Sequence, residues 1–75
     1  MTIIVTLKPT IAKDRDAMDR LVDVLERRLP ATIQEITYAI VSCQHAIKDN
    51  ARAGLETTLR MGRGGKYGVW AEVVK

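Results

Sequence analysis

Hydrophobic and polar residues follow two different periods along this chain, and the change between them divides it. "TIIVTL" (2–7) is a β-branched apolar run closed by Lys8-Pro9, which predicts a short strand. From Ile11 to Leu29 one apolar stripe holds Ile11, Met18, Leu21, Val22, Leu25 and Leu29. Their three- and four-residue steps form one stripe of an amphipathic helix. Thr10 is the expected N-cap, with Asp14 and Asp16 near the positive end of the helix dipole. Arg27-Arg28 suit the opposite end, and Pro30 stops the helix.

The helical period then restarts. Thr32 and Glu35 have the spacing of a capping box, and Ile33, Ile36 and Ile40, with Ala39, form the expected inward face of a second helix. Ser42 is a further candidate N-cap. A third helix, Cys43 to Arg52, turns Cys43, Ala46, Ile47 and Ala51 inward and Gln44, His45, Lys48, Asp49 and Arg52 outward. Gly54 suits the left-handed residue after a helix. Ile36, Tyr38 and Ile40 also alternate, so "ITYAIVSC" could be a strand; the capping box and the glycine exit favour helix.

After Gly54 the period falls to two. Leu55, Thr57, Leu59 and Met61 share one face, and Glu56, Thr58 and Arg60 the other. Tyr67, Val69, Ala71 and Val73 alternate with Gly68, Trp70, Glu72 and Val74. Two alternating runs around "GRGGK" predict a β-hairpin with a basic tip. The expected fold is α+β: an N-terminal strand, three helices and a small antiparallel sheet that ends in the hairpin, all in one domain over residues 1–75.

Composition sharpens this picture. A 75-residue chain with no Phe, two Tyr and one Trp needs an aliphatic core. Net charge is +3, unevenly spread. Residues 1–30 carry six Lys/Arg against five Asp/Glu, whereas residues 42–68 carry five against two. Such asymmetry favours a polyanionic partner. Cys43 is the sole cysteine, so no disulfide forms within one chain, and the expected compartment is a reducing cytoplasm. The apolar run at the N-terminus is far too short to span a bilayer, so no membrane partner is expected.

The segment "TIQEITYAIVSCQHAIKDNA", the exit "ARAGLE" (51–56) and the tip "RMGRGGKYG" (60–68) together resemble a winged helix-turn-helix domain over about residues 11–74. Val41 stands where that family's turn prefers glycine. Only Pro30-Ala31 could serve as the strand usually found between the first two helices, so "TIIVTL" is expected to pair with the hairpin instead. The resemblance implies binding to double-stranded DNA, as a small transcriptional regulator or accessory factor of phage, plasmid or prokaryotic type, with no chemistry of its own.

The residues make a physical case for the same partner. A helix fits the major groove, where Gln44 can pair with adenine and Lys48 or Arg52 can reach guanine or phosphate. Ser42 and the free N–H groups at the helix start can hold a phosphate. His45 and Asp49 complete the face, although Asp49 repels phosphate unless it accepts from a cytosine amine or orients Arg52. Arg60, Arg63 and Lys66 would carry the hairpin onto the DNA backbone. One such domain covers only about 600–1,000 Å², so a homodimer or protein partner is expected, with Trp70, Val74 and Ile4 as its interface. The alternative is a protein-interaction module, such as a phage-type inhibitor of a host protein, that binds no DNA.

Enzymatic sites are not expected. His45 and Cys43 lie two apart on a helix and cannot face each other, which excludes a Cys–His catalytic pair and leaves too few soft ligands for zinc. "GRGGK" lacks the hydroxyl residue and the strand-to-helix context of a phosphate-binding P-loop. No cofactor or metal is expected.

Overall fold

The computed structural model describes residues 2–75, in the order β1 (Thr2–Leu7), α1 (Pro9–Ala12), α2 (Arg15–Arg28), α3 (Ile33–Val41), α4 (Gln44–Arg52), β2 (Thr57–Arg63) and β3 (Val69–Val73). The strands form one antiparallel sheet in the order β1-β2-β3. β1 therefore pairs with the hairpin, as the sequence suggests, and β2 lies in the centre.

Alternation sorts the two faces of the sheet. Ile3, Met61 and Ala71 are cross-strand neighbours on the inner face, as are Val5, Leu59 and Val73. This face packs on Val22, Leu25 and Leu29 from α2 and its C-terminal end, Ile36, Ala39 and Ile40 from α3, and Cys43 and Ile47 at and within α4. Leu29, Ile36, Leu59 and Met61 are completely inaccessible to solvent. The core is wholly aliphatic apart from sulfur.

The predicted first helix is two helices. Pro9 opens α1 at a position where its missing N–H costs nothing, and Thr10 lies inside α1 rather than capping it. The cap that starts α2 is Asp14, whose Oδ1 accepts from the N–H groups of Asp16 (3.0 Å) and Ala17 (3.2 Å). An aspartate read as a dipole partner thus interrupts the helix and restarts it. The apolar stripe survives the break: Ile11, Met18 and Leu21 pack half-buried against the core.

Residues 33–41 are helical, so the strand alternative for this segment does not hold. The Glu35 N–H donates to Thr32 Oγ1 at 3.1 Å and the Thr32 N–H donates to Glu35 Oε1 at 2.9 Å, completing the capping box. Ile33 is not inward as expected but 45% exposed, because it occupies the first helical position beside Thr32, before the helix reaches the sheet. The hydrogen bonds from Thr32 hold the Glu35 carboxyl below the usual carboxylate range, with a smaller contribution from the Arg63 charge. Folding lowers this pKa, so the ionised form stabilises the native state above the unfolded value, and that stabilisation is lost as pH falls through the folded one. Thr32→Ala should cost about 1 kcal/mol in urea unfolding at neutral pH. Most of that cost should persist in acid, because the lost bond from the Glu35 N–H to Thr32 Oγ1 involves no titrating group and the backbone N–H that donates to the carboxylate survives the substitution. Only the part due to the Thr32 hydroxyl's bond to Glu35 Oε1 should fade as Glu35 is protonated; a cost that vanishes in acid would contradict this account.

The exit from α4 follows the Schellman pattern. Gly54 has φ +75°, its N–H donates to Ala51 O at 3.1 Å, and the Leu55 N–H donates to Asn50 O at 2.8 Å. Asn50 Nδ2 then donates to the buried Thr57 hydroxyl at 2.9 Å, tying the end of α4 to the start of β2.

Candidate nucleic-acid interface

The outer side of α4 is built as its periodicity requires. With Ile47 and Ala51 buried, Gln44, His45, Lys48, Asp49 and Arg52 are all exposed. Lys48 and Arg52 meet Lys13, which follows α1, around an open depression of about 320 Å³ floored by Ala12 and Ala51. Among the described residues these three cations form no ion pair. The sequence pattern did not reveal Lys13 as part of this group, because the break between α1 and α2 is what brings it beside α4.

Ser42 does not cap α4. Its hydroxyl turns back and donates to Ala39 O at 2.5 Å, so it closes α3, and Cys43 takes the N-cap position without a side-chain bond. The expected pairing of a Ser42 cap with a phosphate therefore has no geometric basis. Cys43 is buried, with its thiol 3.7 Å from Ala71 O.

The hairpin cations do not gather on one surface. Arg60 sits on the outer face of the sheet, away from the helices, where its guanidinium pairs with the Glu72 carboxylate across the β2–β3 ladder. Both partners are about half exposed, so the pair adds at most about 1 kcal/mol, but it places Arg60 on the face opposite α4. Arg63 has the inward parity of Leu59 and Met61, and its Nη1 donates to Pro30 O between α2 and α3. It therefore lies at the Gly62 end of β2, whereas Lys48 lies at the Thr57 end, beside α1 and Arg52. The strand between these ends is about 20 Å long. Neither arginine extends α4's basic surface as a flexible wing would.

The hairpin tip folds onto α3. Gly64 N–H donates to Gly68 O at 2.9 Å, and Gly68 has φ +84° in a place where any Cβ would overlap the Glu35 carboxylate. Tyr67, expected to face inward at the start of a strand, lies instead in the turn and is 59% exposed, because β3 begins only at Val69. Its ring stacks on Tyr38 of α3, with centroids 5.4 Å apart and planes at 20°, and Lys66 Nζ lies 5.7 Å from the Tyr67 ring centre. The tip, α3, β3 and Ser42 enclose an open cleft of about 230 Å³. Lys66 is thus the one hairpin cation beside the α3–α4 corner.

Ile4, Trp70 and Val74 do share the outer sheet face, as expected, flanking the Arg60–Glu72 pair across the three strands. Ile4 and Val74 are exposed and Trp70 is partly covered. No helix among the described residues is long and apolar enough to cross a membrane, and no three His, Cys, Asp or Glu among them converge as metal ligands do.

No family model matches the chain, and neither a curated protein nor a solved structure matches it.

Proposed function

We propose that this chain is a small duplex-DNA-binding module of the winged helix-turn-helix kind, acting as a regulator or accessory factor without chemistry of its own. The observation that carries the reading is the exposed side of α4, where Gln44, His45, Asp49, Lys48 and Arg52 stand together and Lys13 adds a third cation with no ion pair among the described residues. Gln44 and His45, at the start of the helix, meet base edges in the major groove, while Lys13, Lys48 and Arg52 neutralise phosphates. Three neutralised phosphates give a slope of log K against log salt of about −2.7. Fluorescence anisotropy on a duplex of mixed sequence should show binding at about 50 mM salt and steep loss above it; no binding to any duplex at that salt removes the reading.

A second reading is favoured by the outer sheet face. Ile4, Trp70 and Val74 surround one self-complementary ion pair, Arg60–Glu72, and a face carrying both charges can meet a second copy of itself across a two-fold axis. A dimer joined there leaves α4 free on the far side of each copy, so the two α4 faces point away from each other and each copy meets a separate duplex. Ile4→Arg should then yield a folded monomer in sedimentation. A wild-type chain that sediments as a monomer at high concentration rules the homodimer out and leaves this face to another protein.

A further inference from the structure

The chain has three aromatic residues, and none is in its core. Tyr38, Tyr67 and Trp70 come from a helix, a turn and a strand, yet all three line the cleft at the hairpin tip. Aromatic side chains are the largest apolar groups available, and a core this small would ordinarily use them. Here the two tyrosines instead remain 61% and 59% exposed and stack on each other in solvent.

The lining of the cleft narrows the ligand. Lys66 supplies a positive charge, and among the described residues no carboxylate lines the cleft. Glu35 flanks the far side of the tyrosine pair, but its carboxylate is turned to Thr32. Gly64 and Gly65 have open space where side chains would stand, so a ligand can approach their backbone closely. On the other side of Tyr38, Gln34, Thr37 and Val41 border an uncharged hollow in which an amide and a hydroxyl can meet a polar edge. Flat π-faces, one cation, an accessible backbone and uncharged hydrogen-bonding groups are what a nucleobase with its phosphate requires. Ser42, which ends α3 two residues before α4 begins, also lines the cleft.

We propose that the Tyr38–Tyr67 ledge binds an unpaired base of single-stranded nucleic acid, with Lys66 on its phosphate, next to the duplex held by α4. This deepens the DNA reading and rests on it: the preferred substrate becomes a duplex bearing a single-stranded extension. The ledge discriminates by stacking, which tolerates any base, so it adds affinity for unpaired strands with little sequence preference.

The test uses the full chain and three fluorescent probes: a blunt 12-bp duplex, the same duplex with a three-nucleotide overhang, and a 12-nucleotide single strand. The overhang should tighten binding by about 5- to 150-fold over the blunt duplex, the range expected for stacking of one base. Tyr38→Ala and Tyr67→Ala should each erase that gain and leave blunt-duplex affinity unchanged, while Tyr38→Phe, which keeps the ring, should retain it. Blunt and overhang probes bound equally well would overturn this inference and leave the duplex reading intact. Binding of the single strand alone, with the tyrosine dependence described, would support the ledge and overturn the duplex reading. Alanine variants that bind the overhang as tightly as the parent would overturn the ledge whichever probe binds.

Discussion

Leu59→Ala is expected to remove 2–5 kcal/mol of stability, the range for truncating a buried leucine. A domain of 75 residues has about 4–11 kcal/mol in total, so the loss is a large fraction of it and the variant should melt well below the parent. Leu59 is in the central strand, wholly inaccessible, with Val5 and Val73 as its cross-strand neighbours and the helices above. No element can close the space it leaves without breaking a ladder on one side. Leu55→Ala is the control. Leu55 has the same alternation parity as Leu59 but is 57% exposed, so its loss should matter by no more than about 0.5 kcal/mol. Urea unfolding followed by circular dichroism measures both. Equal costs at the two positions would show that the core is not organised around β2 as described.

The contrast between these leucines shows where sequence reasoning works and where it stops. Periodicity located the faces of the elements: Val22, Leu25, Ile36, Ala39, Ile47, Ala51, Leu59 and Met61 are buried on the faces their spacing indicates. Periodicity does not locate the ends. Leu55 falls just before β2, Ile33 at the first turn of α3 and Tyr67 just before β3, and each is exposed because the regular element that would bury it has not begun or has not reached the sheet. Short-range capping chemistry was legible at Thr32–Glu35 and Gly54, where the partner lies within a few residues. It was misread at Asp14, which starts a second helix rather than lying inside one begun at Thr10, and at Ser42, whose hydroxyl turns back to Ala39 O instead of forward into α4.

The candidate interface divides along the same line. The outward face of α4 follows from helical spacing alone. What the hairpin cations do depends on contacts across long stretches of chain: Arg60 reaches Glu72, Arg63 reaches Pro30, and Tyr67 reaches Tyr38. A strand's parity indicates which side a residue takes, and Arg60's parity already opposes that of Leu59. That signal was available in the sequence, and it separates Arg60 from any surface shared with α4.

Alanine at Lys13, Lys48 and Arg52 together should lower duplex affinity by on the order of 10³-fold at about 50 mM salt and flatten the salt slope by about 2.7, the sum for three phosphate contacts. All three side chains are on the surface, so the variant should melt close to the parent, and the loss is then one of binding alone. Arg60→Ala provides the opposing comparison. If the duplex lies against α4, removing a guanidinium already paired with Glu72 on the other side of the sheet changes affinity little. If the duplex instead crossed the outer sheet face, Arg60→Ala would weaken binding and the triple variant would not. Anisotropy titrations of the two variants at three salt concentrations separate these geometries, because each affects both the affinity and its salt slope. A triple variant that binds with the parental slope would mean that the cluster beside α1 touches no phosphate, and the assignment of α4 to the groove would fall with it.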